Sequence, residues 1–326
     1  MTNVQAPSVS LVQHQFNGRQ SGPRLIILGA VHGNETCGTR AIERLLRDLS
    51  AGACSLRRGH LTLVPVCNPL AYERGCREGD RNLNRRLQPT AQPVEYEDHA
   101  ANALCPLLAA HDVLLDLHSF HTPGDPFVMI GPPDNTGPLE PFSQAGPEVR
   151  LARHLGVTRV VEGWLDTYAR GMAQRRQYAQ AQGLSGLDLD PAYGVGTTEY
   201  MRAMGGYGVT LECGQHEDAQ APEVAWQAIL QTLSLLEMID RPLAPPPADP
   251  LLMKLVDVTD RWHPLDHFVR DWQSFDAVTT GQLIGVRHGG LEVRAPRDGW
   301  IVFPNPRAEV GGEWFYFAQR SERRLD

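Results

Sequence analysis

Four short runs of aliphatic residues constrain the fold of this 326-residue chain more than any other feature. They are RLIILGAV (24–31), LTLVPV (61–66), VLLDLH (113–118) and YGVTLE (207–212). Runs of this length and composition are typical of buried β-strands. Between them, residues 39–50 carry apolar side chains at helical spacing, and a second helix is predicted over about residues 95–110. Alternating strands and helices predict an α/β fold with a largely parallel or mixed sheet.

The character of the chain changes near residue 240. Residues 223–239 predict a closing amphipathic helix, and the proline-rich segment 241–250 follows as a connector. Beyond the connector, short apolar runs are interrupted by glycine and proline, which indicates a small all-β domain. The sequence therefore predicts two domains, one at 1–242 and a smaller β-rich one at 251–326.

The composition is that of an ordinary globular protein. Hydrophobic residues make up 42% of the chain and charged residues 21%, which excludes disordered and fibrous classes. A formal net charge of -8 argues against broad attraction to nucleic acid or anionic membranes. The N-terminus lacks the basic start and apolar run of a secretory signal. We therefore expect a cytoplasmic protein that binds small molecules, without nucleic-acid or membrane partners, and homo-oligomerisation stays open.

Three residues at the ends of predicted strands form a candidate metal site. His32 ends the first strand, Glu35 follows where the chain turns into a helix, and His118 ends the third strand. Gly33 supplies the freedom that a sharp strand-to-helix turn needs, and Asp116 lies on the same strand face as His118. One histidine at a strand end is usually a satisfied polar residue, so the prediction depends on the combination. Two imidazoles and one carboxylate leave an open position for water, which is the ligand set of a catalytic zinc.

The motifs together resemble one enzyme family. HGNE, the arginine-rich segment NPLAYERGCREGDRNLNRRL, DLHSF and LECGQ occur in the order and at the separations found in the succinylglutamate desuccinylase/aspartoacylase family. This family is a branch of the zinc carboxypeptidase-like superfamily. The resemblance implies a carboxypeptidase-like mixed sheet flanked by helices, one zinc ion per chain, and hydrolysis of an amide other than a peptide bond. The implied substrates are N-acylated amino acids, acidic ones in the first place, such as N-acetylaspartate or N-succinylglutamate.

The resemblance also assigns roles to individual residues. His32, Glu35 and His118 match the zinc ligands of the family, and Glu212 in LECGQ matches the catalytic glutamate. A carboxylate beside a metal can take a proton from water and pass it to the leaving nitrogen. Arg77 aligns with the arginine that polarises the scissile carbonyl and holds the oxyanion.

Further matches concern substrate binding. Asn84 and Arg85 match the pair that grips the substrate carboxylate, where a guanidinium offers bidentate hydrogen bonds that lysine cannot copy. Arg202 matches a position that binds a second carboxylate in aspartoacylases. The remaining arginines of the segment are predicted to lie in a solvated basic loop: Arg74, Arg81 and Arg86.

Two features fit the family pattern less closely. Asn82 stands where the family motif DLNR commonly has aspartate, a departure that bears on the subfamily more than on catalysis. Aspartoacylases also use a tyrosine from the C-terminal domain, and Tyr316 is the candidate by position only. Tyr200 or Tyr207 could take its place.

Two other functions remain open at this point. One is a metallocarboxypeptidase that trims short peptides, which a C-terminal β-rich domain narrowing the cleft would disfavour. The other is a catalytically idle metal- or ligand-binding protein. Glu212 beside an intact ligand set argues against that second alternative, because a binding protein has no need of a base.

Overall fold

The structure is a computed structural model that describes residues 9–182 and 190–325. Its strands are β1 His14–Asn17, β2 Gln20–Leu28, β3 Arg58–Val64, β4 Val113–Phe120, β5 Phe127–Met129, β6 Arg159–Glu162, β7 Tyr207–Gln215, β8 Leu251–Asp260, β9 His267–Phe268, β10 Ala277–Val278, β11 Leu283–Val286, β12 Glu292–Arg294, β13 Gly299–Val302 and β14 Glu313–Arg320. Its α-helices are α1 Cys37–Ser50, α2 Pro69–Arg74, α3 Tyr96–Ala109, α4 Ala145–Arg153, α5 Trp164–Gln182, α6 Thr197–Ala203 and α7 Ala221–Leu235, with a short 3-10 helix at Pro191–Gly194.

The four aliphatic runs form four neighbouring strands of the main sheet, as predicted. They are β2, β3, β4 and β7, and they pair in parallel in the order β3-β2-β4-β7. β1 pairs antiparallel with β3, and β5 pairs antiparallel with β7, so the sheet is mixed. The predicted α/β fold class is confirmed.

Helices cover both faces of this sheet, which explains why its strands are aliphatic without alternation. Every residue of β4 is buried. The buried apolar residues form two separate clusters. One lies between the sheet and helices α1 and α7, and the other lies between the sheet and helix α3. The three predicted helices are confirmed, and the closing helix α7 ends at Leu235, four residues before the predicted end.

The C-terminal part is rich in β-strands, as expected, but most of these strands join the main sheet instead of forming a separate one. β8 pairs in parallel with β6, and β14, β13 and β10 follow, so the main sheet has 11 strands. A separate three-stranded sheet contains β9, β11 and β12. Because strands from both sides of the proline-rich connector share one sheet, the division into domains at 1–242 and 251–326 stays a prediction.

The topology also determines where side chains can meet. Parallel strands β2, β4 and β7 end at the same edge of the sheet, where ligands of open α/β sheets usually bind. The register places His118 of β4 directly opposite Glu212 of β7. Among the helices of residues 9–182 and 190–325, none is both long and apolar enough to cross a membrane.

Candidate metal and catalytic site

The three predicted metal ligands meet at the carboxyl edge of the sheet. His32, Glu35 and His118 are all buried, and one potential ligand atom from each lies within 4.8 Å of the others. A side chain at Gly33 would come within 2.0 Å of the Ala71 backbone. Only glycine therefore lets the turn between the first two ligands pack against α2.

Both imidazoles direct the same nitrogen toward one carboxylate. His32 Nδ1 lies 2.9 Å from Glu35 Oε1, and His118 Nδ1 lies 2.9 Å from Glu35 Oε2. Arg77 donates to Glu35 Oε1 at 2.8 Å, and the Ser119 backbone N–H donates to Oε2 at 3.1 Å. Within the described residues, neither His32 Nδ1 nor His118 Nε2 makes a well-directed hydrogen bond, although each lies 2.9 Å from a carboxylate oxygen. Two nitrogens and a carboxylate converging in this way fit a zinc ion.

Each histidine is also held through its other ring nitrogen. His32 Nε2 donates to Asn82 Oδ1 at 3.0 Å, and His118 Nε2 lies 2.9 Å from Asp116 Oδ2. Such outer contacts fix the tautomer and orient the ring, leaving Nδ1 to bind a metal. The role of Asn82 was not predicted, since the sequence marked it only as a departure from the family motif.

Burial and mutual charge shift the pKa values of this cluster strongly. Burial, and then the nearby Arg77 guanidinium, lower the pKa of His32 to about 4, so its ring is neutral. Burial opposes ionisation of Glu35, but His32 and His118 outweigh it and hold its pKa well below the usual range. Burial also lowers the pKa of His118, yet Asp116 and Glu35 raise it well above the ordinary value. A bound cation would replace the proton on His118 and would balance the negative charge of Asp116 and Glu35.

Glu212, the predicted base, lies beside the predicted metal ligands. Its side chain is buried, and its Oε2 has no hydrogen-bond partner in the part of the chain that the structure describes. Burial, followed by the negative charge of Glu35, raises the pKa of Glu212 to about 8. A carboxylate with a pKa near neutrality can both accept and deliver a proton at physiological pH.

A cavity of about 370 Å³ opens beside these residues. Every residue predicted for the site lines it, including the metal ligands and the base. The remaining predicted residues on its wall are Arg77, Asn84, Arg85, Arg202 and Tyr316.

Arg85 is held flat against aromatic rings. Its guanidinium lies 4.7 Å from the ring centre of Trp164 and 5.3 Å from that of Tyr168. Its Nη1 donates to the backbone oxygen of Asn84 at 2.9 Å. The side-chain oxygen of Asn84 in turn accepts from the Thr197 backbone N–H at 2.9 Å, which ties this pair to the start of α6.

Arg202 is engaged by acidic side chains. Its Nε donates to Glu148 at 2.8 Å, and its Nη1 donates to Glu140 at 2.7 Å and to Glu199 at 3.3 Å. Its Nη2 donates to the backbone oxygen of Gly208 at 3.0 Å. Its binding of a second substrate carboxylate stays a prediction.

Tyr316 reaches the cavity from β14. Its side chain is buried, and its hydroxyl has no hydrogen-bond partner among residues 9–182 and 190–325. Its ring packs on Trp164 with the ring centres 5.3 Å apart. Of the alternatives, Tyr207 begins β7 at the end away from Glu212, and Tyr200 does not belong to the cavity wall.

The prediction that Arg81 lies in a solvated loop is wrong. Arg81 is buried and pairs with Asp98 at 2.9 Å and with Glu95 at 3.1 Å. These partners come from the start of α3 and could not be recognised from the local basic pattern. Arg74 and Arg86 keep 49% and 40% of their side chains exposed, as expected for a surface loop.

The structure adds residues that the sequence analysis missed. His216 accompanies Glu212 at the end of β7, and its Nδ1 lies 2.9 Å from Ser119 Oγ. Its position four residues after the base was an available signal. The others come from distant elements and carry no local motif: His121, Trp164, Glu199 and Glu313.

Comparison with known proteins gives a consistent result. Residues 21–123 match the model of the succinylglutamate desuccinylase/aspartoacylase catalytic domain. A probable aspartoacylase of Prochlorococcus marinus is 31% identical over 101 residues, which cover 29% of this chain and 33% of that protein. A mouse N-acyl-aromatic-L-amino acid amidohydrolase (carboxylate-forming) is 36% identical over 109 residues, with the same coverage of 29% and 33%. The matched region thus spans about a third of each curated relative.

A solved structure extends the likeness to the whole fold. The succinylglutamate desuccinylase/aspartoacylase of Rhodobacter sphaeroides superposes with a TM-score of 0.71 at 18% identity, covering 96% of this chain and 90% of that one. At this identity the superposition shows a shared fold. The match over residues 21–123 confirms the resemblance to the succinylglutamate desuccinylase/aspartoacylase family that the motifs indicate, and the superposition shows that the fold is shared over most of the chain.

Proposed function

We propose that this protein is a zinc-dependent amidohydrolase that cleaves the amide bond of an N-acylated amino acid. The observation that carries the proposal is the buried Glu212, with an unpartnered carboxylate oxygen, beside the convergent His32, Glu35 and His118. A binding protein gains nothing from a buried carboxylate aimed at the open side of such a ligand group. The relatives named above are amidohydrolases or acylases by name, which supports the same reaction class.

In the proposed reaction, Glu212 and Arg77 have separate roles. When bound, zinc lowers the pKa of a coordinated water molecule and polarises a carbonyl group. Glu212 accepts the proton of the attacking water and delivers it to the leaving amine nitrogen. Arg77 lies beside Glu35, with 46% of its side chain exposed, and donates to the carbonyl oxygen as negative charge develops there.

Other residues orient the substrate. Arg85 binds the α-carboxylate, since its planar guanidinium is fixed by the rings of Trp164 and Tyr168. Asn84, tied to α6, supports it from the neighbouring position. The buried hydroxyl of Tyr316, which has no hydrogen-bond partner in the described part of the chain, is available to hydrogen-bond the acyl group.

Replacing the base tests the proposal. Glu212→Gln keeps the shape of the side chain but removes its ability to take a proton. We expect the variant to retain about one zinc ion per chain and to lose kcat by a factor on the order of hundreds or more. Activity is measured as free amine released from a panel of N-acyl amino acids and short peptides, and zinc by elemental analysis.

Glu43→Gln, an exposed change on α1, is the matched control and should behave like the unmodified protein. Loss of zinc from Glu212→Gln would make this glutamate a ligand instead of a base. Release of amine only from peptides would identify a carboxypeptidase, and release from no compound would exclude the proposed reaction.

A further inference from the structure

The cavity wall around Arg202 carries more acid than base. Its single guanidinium is shared by the carboxylates of Glu140, Glu148 and Glu199, which leaves two negative charges in excess when all are ionised. With the backbone oxygen of Gly208 as a further acceptor, at least four of the five guanidinium N–H groups are in use. Arg202 therefore has little capacity left for a substrate carboxylate.

Arg202 is also unable to turn toward a ligand without breaking its packing. Only 2% of its side chain is exposed. A Cβ atom at Gly131 would come within 2.4 Å of its Nε, so the guanidinium lies directly on that glycine backbone. The ring of Phe142 covers it with its centre 5.5 Å away.

Glu199 is the acidic member of this group that borders the cavity. Its Oε2 accepts from the Gly196 backbone N–H at 3.0 Å, and its Oε1 accepts from the Thr198 hydroxyl at 3.1 Å. These bonds at the start of α6 fix the carboxylate in place. Burial raises the pKa of Glu140 to about 7 despite Arg202, and even with Glu140 protonated two carboxylates face one guanidinium.

The balance of charge is different around Arg85. Within the described residues, its guanidinium makes one hydrogen bond, to the backbone oxygen of Asn84 at 2.9 Å, and lies over aromatic rings. The acidic side chain that acts on it, Glu313, is also paired with Arg175 at 3.1 Å, so no excess of negative charge faces Arg85. Arg85 thus keeps donors for an anion, whereas Arg202 does not. The cavity offers one wall to a carboxylate and another to a hydrogen-bond donor.

We propose that the wall formed by Thr198, Glu199 and Arg202 binds an ammonium group on the substrate's side chain, so that the enzyme prefers N-acyl derivatives of basic amino acids. The inference rests on the proposed deacylase function. It replaces the acidic side chain that the family resemblance implies with a basic one, while Arg85 still receives the α-carboxylate.

Three acetylated amino acids with equally long side chains test this preference. The zinc-loaded protein is assayed at neutral pH with Nα-acetyl-L-ornithine, N-acetyl-L-glutamine and N-acetyl-L-glutamate. We expect kcat/KM to fall in that order, with ornithine preferred over glutamate by on the order of tenfold or more. Binding of the same compounds to zinc-loaded Glu212→Gln, measured by calorimetry, should follow the same order without turnover.

Glu199→Gln links the preference to this wall. The amide oxygen can still accept from Gly196, so α6 should keep its start, while the negative charge at the cavity disappears. We expect the ornithine-to-glutamate ratio to fall by on the order of tenfold, chiefly through KM. Glu43→Gln should leave the ratio unchanged.

The outcomes separate the inference from the function it rests on. Hydrolysis with glutamate preferred, or a ratio that Glu199→Gln does not alter, would overturn the inference and leave the deacylase function standing. If none of the compounds is hydrolysed, the proposed function fails for this panel. The affinities measured by calorimetry then test the inference. Binding of N-acetyl-L-glutamate as tight as that of Nα-acetyl-L-ornithine would overturn it.

Discussion

At the scale of single residues, the two proposed histidine ligands differ in the partner that orients them. His118 lies 2.9 Å from the Asp116 carboxylate, whereas His32 donates to the neutral amide oxygen of Asn82 at 3.0 Å. A carboxylate partner raises the basicity of an imidazole more than an amide does. The basicity of the His118 ring is therefore raised more than that of the His32 ring.

Asn82 is expected to set zinc affinity. Asn82→Asp should tighten zinc binding, because a carboxylate would make the His32 ring a better donor. Asn82→Ala should weaken it by about 10- to 100-fold, because the ring loses its orienting partner. Zinc affinity is measured by competition with a chelator.

A thermal melt is the control, since Asn82 Oδ1 also accepts from the Asn84 backbone N–H at 2.9 Å. A folded Asn82→Ala protein that binds zinc like the unmodified protein would refute the role of this amide.

At the scale of elements, helix α3 positions the arginine-rich segment. Glu97, fully buried in its first turn, accepts from the backbone N–H groups of Gly79, Asp80 and Arg81 at 2.8, 3.1 and 3.1 Å. It also accepts from Asn68 Nδ2 at 2.8 Å, which connects it to the start of α2. The sequence predicted this helix but not its contact with the arginine-rich segment. A glutamate in the first turn of a helix is common, because it interacts favourably with the helix dipole.

Removing this carboxylate should damage both stability and substrate binding. Glu97→Ala leaves several buried donors without an acceptor, so we expect a loss of about 3 kcal/mol in the free energy of unfolding. KM should rise, since the segment also carries Arg85. Urea unfolding and steady-state kinetics measure the two effects.

Glu73→Ala, an exposed change on α2, serves as the control for Glu97→Ala. Equal stability of the two variants would show that Glu97 does not hold the segment.

At the scale of the whole molecule, the main sheet and the convergence of the proposed metal ligands could be predicted because parallel strands end at one edge. His118 and Glu212 lie in the last part of β4 and β7, and His32 follows the end of β2 by four residues instead of ending the strand as predicted. The rest of the wall depends on how distant strands join the sheet. Tyr316 reaches the cavity only because β14 pairs with β8 and β8 pairs with β6.

The partners of Arg202 illustrate the same limit. Glu140 lies between β5 and α4 and Glu148 in the first turn of α4, and neither position shows a pattern that points to the cavity. A sequence match to a carboxylate-binding arginine could therefore not reveal that three carboxylates already surround it.

Zinc titration of the metal-free protein tests the central claim most directly, because the ligands come together only in the complete fold. We predict that one zinc ion per chain restores release of amine from an N-acyl amino acid in proportion to occupancy and raises the melting temperature. His118→Ala should lose both responses. A folded protein that binds no zinc, or that binds one ion and still hydrolyses no N-acyl amino acid, would contradict the account.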